Sequence, residues 1–233
     1  QMSLFAGSTA GSSDGIGAAA RFYYPNGVTI APDGTTYVFQ GNNYRIRKIT
    51  PQAAVTTLAG GTGGAADGQG VAAQFAWTNS GAIDKDGNLI VTDTDYNYDF
   101  PSCRIRKVTP DGMVSTIYSG SKGFADGPLA TARFSPLTSV VTDPLGNIFV
   151  ADPFNHRVRK ITPNGIVSTL AGSVDGSIDG TGEQARLSYP TQLAIDAGLN
   201  LYVTEPGRYR IRRSRTADDV ILPLRLVMSR MDG

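Results

Sequence analysis

Short runs of β-branched and aromatic residues alternate with turn residues along the whole chain. Between residues 139 and 170 each run is four to six residues long and is closed by Gly, Pro, Asn or Asp. Such runs are typical of antiparallel strands joined by tight turns. No stretch long enough for a helix shows apolar residues at a 3.6-residue period. The pattern here predicts four strands, at Ser139–Asp143, Ile148–Ala151, Arg157–Thr162 and Val167–Leu170.

The arrangement recurs four times. A basic motif, Arg-Ile-Arg-Lys or a close variant, returns at steps of 59, 53 and 53 residues, and an Asp-Gly pair returns at steps of 53, 59 and 53. The two long steps together place six additional residues within 94–102 of the second unit. A unit of roughly 53 residues is therefore repeated. The basic motif begins at Arg45, Arg104, Arg157 and Arg210, and the Asp-Gly pair begins at Asp14, Asp67, Asp126 and Asp179.

Four-stranded antiparallel units at this period predict an all-β fold, a β-propeller with four blades. Stacking the blades buries faces that a lone blade would leave in water. Glycine-rich crossings link the blades, and one apolar residue of each crossing is expected to plug a blade junction. We expect a propeller over 1–214, with units at about 3–50, 55–109, 114–162 and 167–213, and a tail over 215–233. The expected plugs are Phe22, Phe75, Phe134 and Leu187.

The two ends of the chain offer different ways to complete the ring. Met2–Phe5 has the pattern of an outer strand and can complete the last blade beside Ile211–Ser214. The apolar segment Val220–Val227 competes for the same place. A third arrangement makes the four blades part of a larger ring, or pairs them with another chain through the chain ends.

The recurring motifs resemble the NHL repeat family. The third unit carries them best, in Gly146–Asp152 (Gly-Asn-Ile-Phe-Val-Ala-Asp) and Asn155–Pro163 (Asn-His-Arg-Val-Arg-Lys-Ile-Thr-Pro). The resemblance covers about residues 3–213 and implies a propeller that binds other molecules, RNA or protein in some relatives. A minority of related propellers are enzymes, and family propellers often have more than four blades. One departure is Gln40, which stands where the later units have Asp93, Asp152 and Glu205.

Composition narrows the class of partner. Hydrophobic residues make up 40% and charged residues 18% of the chain, as in a folded globular protein. The formal net charge of +1 provides no general attraction for nucleic acid, so we expect no nucleic-acid partner. No apolar run approaches the roughly 18 residues that a membrane span needs. A single cysteine, Cys103, leaves the compartment open, with a secreted or cell-surface setting favoured.

The loops between second and third strands are expected to open on the same side as the crossings, here called the loop face. Function concentrates on loops held by a rigid scaffold. The loop of the second unit carries the six additional residues and sets tyrosines among small polar residues, which suits a contact surface. A variable surface loop without a ligand is the alternative. The predicted binding residues are Asn43, Asp93, Asp95, Tyr96, Tyr98, Asp99, Phe100, Phe154, His156, Arg208 and Tyr209.

Metal and catalytic chemistry find little support. Calcium needs six to eight oxygen ligands, and Asp93, Asp95 and Asp99 lack the spacing of a calcium loop, so a turn or capping role is favoured. His156 is the sole histidine and, with Cys103, offers too few ligands for zinc. The repeated arginines are expected to pair with Asp in neighbouring turns. We therefore expect no metal, no cofactor and no catalytic residue, and predict that the chain is not an enzyme.

Three hypotheses for function follow. The first is a non-catalytic binding or scaffolding propeller that recognises a protein, a peptide or a glycan on the loop face. The second is a structural subunit of an extracellular or surface assembly, based on the apolar chain ends. The third is a metal-dependent lyase or hydrolase of the kind found among related propellers.

Overall fold

The computed structural model of the chain describes residues 1–95, 102–215 and 220–223. It contains four antiparallel sheets, one for each repeat unit, and no α-helix within those residues. The predicted all-β propeller of four blades is confirmed. Each sheet has five strands rather than four, because two residues of the preceding crossing pair with the outer strand of the blade.

The strands are numbered in chain order. The first blade contains β1 (Gly15–Ile16), β2 (Gly27–Ile30), β3 (Thr36–Gln40), β4 (Arg45–Ile49) and β5 (Ala54–Gly60). The second contains β6 (Gly68–Gln69), β7 (Thr78–Ile83), β8 (Leu89–Asp95), β9 (Ser102–Val108) and β10 (Met113–Ser121). The third contains β11 (Gly127–Pro128), β12 (Ser139–Thr142), β13 (Ile148–Asp152), β14 (Arg157–Ile161) and β15 (Ile166–Ala171). The fourth contains β16 (Gly180–Thr181), β17 (Leu193–Ile195), β18 (Asn200–Glu205), β19 (Arg210–Arg215) and β20 (Val220–Pro223).

Five single 3-10 turns complete the secondary structure of the described residues, at Gly17–Ala19, Gly41–Asn43, Gly70–Ala72, Pro153–Asn155 and Pro206–Arg208. Three of these turns join the second to the third strand of a blade, and they are Gly41–Asn43, Pro153–Asn155 and Pro206–Arg208. The residue after each of these turns takes a left-handed conformation, and the third strand begins directly after it. These residues are Tyr44, His156 and Tyr209, with φ of 54°, 55° and 54°.

Register decides which face of a blade each side chain occupies. In the third blade Val140 lies opposite Val150, and Val150 lies opposite Arg159, so the three share one face. That face packs towards the second blade and is called the incoming face. Phe149 and Val158 occupy the other, outgoing face and form one core cluster with residues of the fourth blade.

Three of the four predicted plugs lie at junctions between blades, as predicted. Phe75, Phe134 and Leu187 are fully buried within the core clusters that join successive blades. Phe22 packs against the incoming face of the first blade and is partly buried. Each plug belongs to the crossing that precedes its blade, so the crossing covers the outer part of the incoming face.

A bulge between third and outer strands depends on glycine. Pairing slips by one residue between Ile46 and Arg47, and Gly60 lies beside the slip with φ +84°. A Cβ at Gly60 would lie 2.1 Å from the carbonyl oxygen of Tyr44. Gly172 has the same role in the third blade, where a Cβ would lie 2.1 Å from the carbonyl oxygen of His156.

The fourth blade takes its outer strand from the tail. β20 pairs with β19, with Ile221 opposite Ser214, whereas residues 1–9 form no strand. Of the two segments considered for this place, the tail therefore occupies it, and Met2–Phe5 does not. The inner strands β2, β7, β12 and β17 pack side by side in that order. Within the described chain β17 does not pack in this way against β2.

Candidate functional site

The second arginine of the basic motif is the centre of a buried polar cluster, here called the clasp. In the second blade Arg106 is fully buried and forms ion pairs with Asp67 at 2.9 Å and Asp93 at 3.0 Å. It also donates hydrogen bonds of 3.0 Å to the carbonyl oxygens of Ala66 and Gln74. The clasp therefore ties the crossing to its own blade, and it confirms the predicted pairing of arginine with the Asp of a neighbouring turn.

The clasp recurs in all four blades. Each guanidinium meets the crossing Asp, two crossing carbonyls and a residue near the end of the second strand. In the first three blades it also lies 4.8 to 5.2 Å from the centre of the plug ring. The arginines are Arg47, Arg106, Arg159 and Arg212. Their crossing partners are Asp14, Asp67, Asp126 and Asp179, and their strand partners are Gln40, Asp93, Asp152 and Glu205.

The pKa values of the two carboxylates of the second-blade clasp are shifted in opposite directions. Burial raises the pKa of Asp93, and the backbone N–H of Ala76 and the charge of Arg106 only partly offset it. Burial also acts to raise the pKa of Asp67, but hydrogen bonds from Thr116 and the charge of Arg106 outweigh it and leave that pKa below its ordinary value. Asp93, predicted on the binding surface, thus lies in the interior, where it pairs with Arg106.

A cleft on the loop face opens between the first and second blades. It encloses about 400 Å³ and is lined by Tyr44, Trp77, Asp95 and Arg104, with the backbone of 63–65. Arg104 lies on β9, where its Nη1 is buried 3.6 Å from Asp93 Oδ2 and has no hydrogen-bond partner among the described residues. Asp95 ends β8, at the start of the lengthened loop. The cleft therefore combines two aromatic rings, one acid and one base.

Trp77 and Tyr44 are held by close backbone packing. The indole lies against Gly41, where a Cβ would lie 2.7 Å from Nε1, and that Nε1 donates to Asn79 Oδ1 at 2.6 Å. The Tyr44 ring lies over Gly63, where a Cβ would be 3.2 Å from it. Because glycine has no Cβ, both rings can lie close against the backbone on the walls of the cleft.

A second aromatic cluster lies on the loop face between the third and fourth blades. Phe154 and Tyr189 meet edge to face, with ring centres 5.0 Å apart. His156 Nδ1 accepts a hydrogen bond of 3.3 Å from the Tyr189 N–H and lies 3.9 Å from Asp175. Arg208 lies 3.5 Å from Asp175, whose pKa is lowered by a hydrogen bond from Ser188 and by Arg208. The structure thus brings three predicted residues, Phe154, His156 and Arg208, close together.

The other predicted residues are dispersed. Asn43 lies in a 3-10 turn, and its Oδ1 accepts a hydrogen bond of 2.6 Å from Arg45. Tyr209 is 97% exposed at the end of the fourth-blade turn. Of the predicted residues that the structure describes, only Asp95 lines the cleft. Tyr96, Tyr98, Asp99 and Phe100 lie outside the described residues.

Sequence reasoning missed Tyr44, Trp77 and Arg104. One signal was available, since Trp77 is the only tryptophan and follows a plug by two residues, as Tyr24 and Tyr189 do. Aligning the units places Tyr44 beside His156 and Tyr209 in the same way. Repeats compared by position, rather than by motif, would have indicated an aromatic residue at several blade junctions.

Four other features bear on what the chain can bind or catalyse. A cavity of about 800 Å³ is lined by residues of the inner strands of the four blades. Within 1–95, 102–215 and 220–223 no three His, Cys, Asp or Glu side chains converge as a metal site would require. Burial raises the pKa of Cys103 to about 12, so its sulfur is a thiol at neutral pH. In the same residues we find no helix that is both long and apolar enough to cross a membrane.

The curated proteins that match this chain are much longer than it, so each match covers only a part of them. No protein-family model matches the sequence. An 86-residue stretch, 36% of the chain, is 40% identical to Protein SUPPRESSOR OF QUENCHING 1, chloroplastic, of Arabidopsis thaliana, and covers 8% of that protein. Teneurin-1 of Mus musculus is 23% identical over 224 residues, 85% of this chain and 8% of Teneurin-1. The chain thus spans 8% of the length of each curated relative.

Solved structures share the fold at low identity. Virginiamycin B lyase from Staphylococcus aureus has a TM-score of 0.55 at 16% identity, over 87% of this chain and 56% of the lyase. A gluconolactonase from Xanthomonas campestris has a TM-score of 0.55 at 17% identity, over 81% and 57%. An auxiliary nutrient binding protein from Bacteroides ovatus has a TM-score of 0.50 at 16% identity, over 92% and 61%.

These likenesses establish a propeller fold that both binding proteins and enzymes use. They correct one prediction. The chain was expected not to be an enzyme, but a lyase and a lactonase share its blade architecture. The expectation is wrong because it rested on missing catalytic motifs, and missing motifs do not exclude an enzyme. One fold can carry both binding sites and catalytic sites.

Proposed function

We propose that the chain is an NHL-type binding propeller that recognises a glycan through the cleft between its first and second blades. The observation that supports this most directly is the lining of the cleft, where Tyr44, Trp77, Asp95 and Arg104 converge at the base of the lengthened loop. Ligand sites are concave, with aromatic walls and a few polar groups that fix orientation.

The chemistry of the cleft matches that of a sugar ring. A pyranose has an apolar C–H face, which packs on aromatic rings such as Trp77 and Tyr44, and a rim of hydroxyl groups. The Asp95 carboxylate accepts hydrogen bonds from hydroxyls, and the Arg104 guanidinium donates them. Because one acid and one base lie together, the cleft attracts neither strong anions nor strong cations, which favours a neutral sugar.

The single tryptophan makes the proposal directly testable. Because Trp77 is the only tryptophan of the chain and lines the cleft, its fluorescence reports occupancy. We would titrate the protein with neutral oligosaccharides of glucose, mannose and N-acetylglucosamine, and in parallel with uncharged peptides of similar length. We expect an oligosaccharide to change the emission with a saturable profile and the peptides to leave it unchanged.

Matched variants assign the signal to the cleft. Tyr44→Gly removes a cleft ring at a left-handed position that glycine adopts freely, and Asp95→Asn removes the charge while keeping the shape. Both are expected to weaken binding roughly tenfold or more, the loss of about one good contact. Tyr209→Gly makes the same change at the equivalent left-handed position, remote from the cleft, and should bind normally. Quenching by peptides alone, or equal losses in Tyr44→Gly and Tyr209→Gly, would disprove the proposal.

A further inference from the structure

A groove lies between the second and third blades, on the face opposite the loop face. It encloses about 440 Å³ and is bordered by the turns at 84–86 and 162–165. Three of its lining residues are apolar, only partly buried and packed against the core cluster of this junction, and they are Ile117, Leu129 and Ile148. All of the lining residues lie between residues 84 and 165, so neither end of the chain takes part in the groove.

The opening is particular to this junction. Ile117, on the outer strand of the second blade, and Ile148, on the second strand of the third blade, are only partly buried. The leucines at the same repeat positions in other units are at most 8% exposed and belong to the core clusters of the other junctions. They are Leu58 and Leu170 for Ile117, and Leu89 and Leu201 for Ile148.

One crossing residue differs between this junction and the first. At the first junction the Gly70 N–H donates to the Gly112 carbonyl oxygen at 2.9 Å, and a Cβ at Gly112 would lie 2.5 Å from the carbonyl oxygen of Leu58. At the second junction the Leu129 N–H donates to the Gly165 carbonyl oxygen at 2.8 Å, and a Cβ at Gly165 would lie 3.9 Å from the Leu129 Cβ. At the first junction the turn thus touches the outer strand, whereas at the second its nearest neighbour is the side chain of Leu129.

One cation that lines the groove has no partner. Lys107, on β9, is partly buried and forms no hydrogen bond or ion pair with the described residues. Its counterparts in the other blades are engaged. Lys48 Nζ donates to the carbonyl oxygen of Pro110 at 3.4 Å, and Lys160 Nζ lies 5.9 Å from the centre of the Phe149 ring. Of these three lysines, Lys107 is therefore the one that can take an anionic group of a ligand.

The other charged side chains of the groove have partners. Lys85 and Asp86 form an ion pair of 2.8 Å, and this contact, with a smaller effect of the Lys107 charge, holds the pKa of Asp86 below its ordinary value. Asp84 accepts hydrogen bonds from the backbone N–H groups of Asp86 and Asn88 and from the Asn88 amide. The groove therefore combines an apolar floor with one ammonium group that lacks a counter-ion.

We propose that this groove binds a free aliphatic carboxylate, with the alkyl chain on Ile117, Leu129 and Ile148 and the carboxylate paired with Lys107. Burial of the chain removes apolar surface from water, and a lysine ammonium forms a charge-assisted hydrogen bond with a carboxylate. Because Asp84 and Asp86 lie close by, a singly charged anion is favoured over a doubly charged one such as phosphate. The site is separate from the cleft and does not depend on the proposed glycan.

The test is a calorimetric titration of the full chain with octanoate, below the concentration at which octanoate forms micelles. We expect saturable binding of one octanoate per chain with a dissociation constant of about 1 mM or lower. Hexanoate should bind roughly tenfold more weakly because it buries two fewer methylene groups. Octan-1-ol, which keeps the chain and lacks the charge, should bind several-fold more weakly than octanoate.

Two matched variants assign the charge contact. Lys107→Met removes the ammonium and keeps an unbranched stem, and Lys160→Met makes the same change at the same repeat position of the third blade. Lys107→Met should weaken octanoate several-fold and leave octan-1-ol unchanged, whereas Lys160→Met should bind octanoate as the wild type does. Both lysines are partly exposed, so both variants should keep the wild-type circular dichroism. Methyl NMR spectra should place the octanoate-induced shifts at Ile117, Leu129 and Ile148.

Several results would overturn the proposal. The wild type binding no octanoate, equal losses in the two Met variants, or methyl shifts centred on the cavity of the inner strands would each do so. Octan-1-ol that binds as tightly as octanoate also overturns it, because Lys107 would then contribute nothing. A peptide ending in leucine that binds more tightly than octanoate overturns it as well, because the groove would then receive the end of a protein chain.

Discussion

Replacing Arg159 by Met should cost far more stability than the same change at Arg47. Asp152 and Arg159 are both fully buried, and their ion pair measures 3.0 Å. Arg159→Met leaves the Asp152 carboxylate in the interior without its counter-ion, a change that costs about 3–5 kcal/mol. In the first blade the equivalent partner is the neutral Gln40, so Arg47→Met strands no buried charge. Its loss of hydrogen bonds should cost about 1–3 kcal/mol.

The difference in stability cost between the two variants should depend on pH. Burial already raises the pKa of Asp152, and the loss of Arg159 should raise it further. A carboxyl group whose folded pKa exceeds its unfolded pKa favours the folded state at low pH, and this contribution is lost as the pH rises through the folded pKa. The cost of Arg159→Met should therefore be full at pH 8 and smaller at pH 5, whereas that of Arg47→Met should stay nearly constant.

Urea unfolding followed by far-UV circular dichroism at the two pH values measures both costs. Asp152→Asn in the Arg159→Met background removes the stranded charge and should recover part of the loss at pH 8. Equal costs for the two single variants at pH 8, or a cost of Arg159→Met that does not change with pH, would show that the buried carboxylate does not dominate the clasp.

Three further predictions concern stability. Gly60→Ala places a Cβ 2.1 Å from a backbone carbonyl oxygen, whereas Gly87 has a similar positive φ with open space around it. In urea unfolding, Gly60→Ala should therefore lower the free energy of unfolding several times more than Gly87→Ala, which should lower it by roughly 1 kcal/mol. Tyr209→Gly relieves a left-handed residue with an exposed ring and should raise the melting temperature, with Tyr209→Phe unchanged; an unaltered melting temperature would contradict this. Because the folded pKa of Asp67 lies below its ordinary value, its contribution is lost as the pH falls below about 4, and Asp67→Asn should flatten the acid limb of stability against pH; parallel curves for variant and wild type would refute it.

The strands of the blades were predictable because the same strand-and-turn pattern occurs in four copies along the sequence. In the third unit predicted and observed strand ends differ by at most one residue, as at Arg157–Thr162 against Arg157–Ile161. The plugs and the arginine pairing were predictable for the same reason. The fifth strand was not, because a two-residue pair such as Gly15–Ile16 carries no alternation and is fixed by the position of the crossing.

The cleft was hidden because it is made by residues that lie far apart in sequence. Tyr44 comes from one blade, and Asp95 and Arg104 come from two strands of the next. For Asp93 the sequence predicted a position on the binding surface, but the structure places the residue in the interior. An acid before a lengthened loop was predicted to bind, yet its register opposite Arg104 and its contact with Arg106 make it an interior residue. Asp93 and Asp95 are two residues apart on β8, but Asp93 is fully buried beside Arg106 whereas Asp95, at the end of the strand, is only partly buried.

Each clasp lies wholly within one repeat unit. Arg106 meets Asp67, Ala66 and Gln74 of its own crossing, and no clasp contact reaches from one described unit to another. A gene that gained or lost one unit at the end of an outer strand, after Gly60 for example, would split no ion pair and strand no buried charge. The faces that meet at a junction, which are mainly apolar, would meet new neighbours, as would the few hydrogen bonds that cross it, such as that from the Thr142 hydroxyl to the carbonyl oxygen of Ile83. We therefore expect that a propeller gene of this kind can change its blade number by unequal recombination in a single step, with every clasp of the product intact.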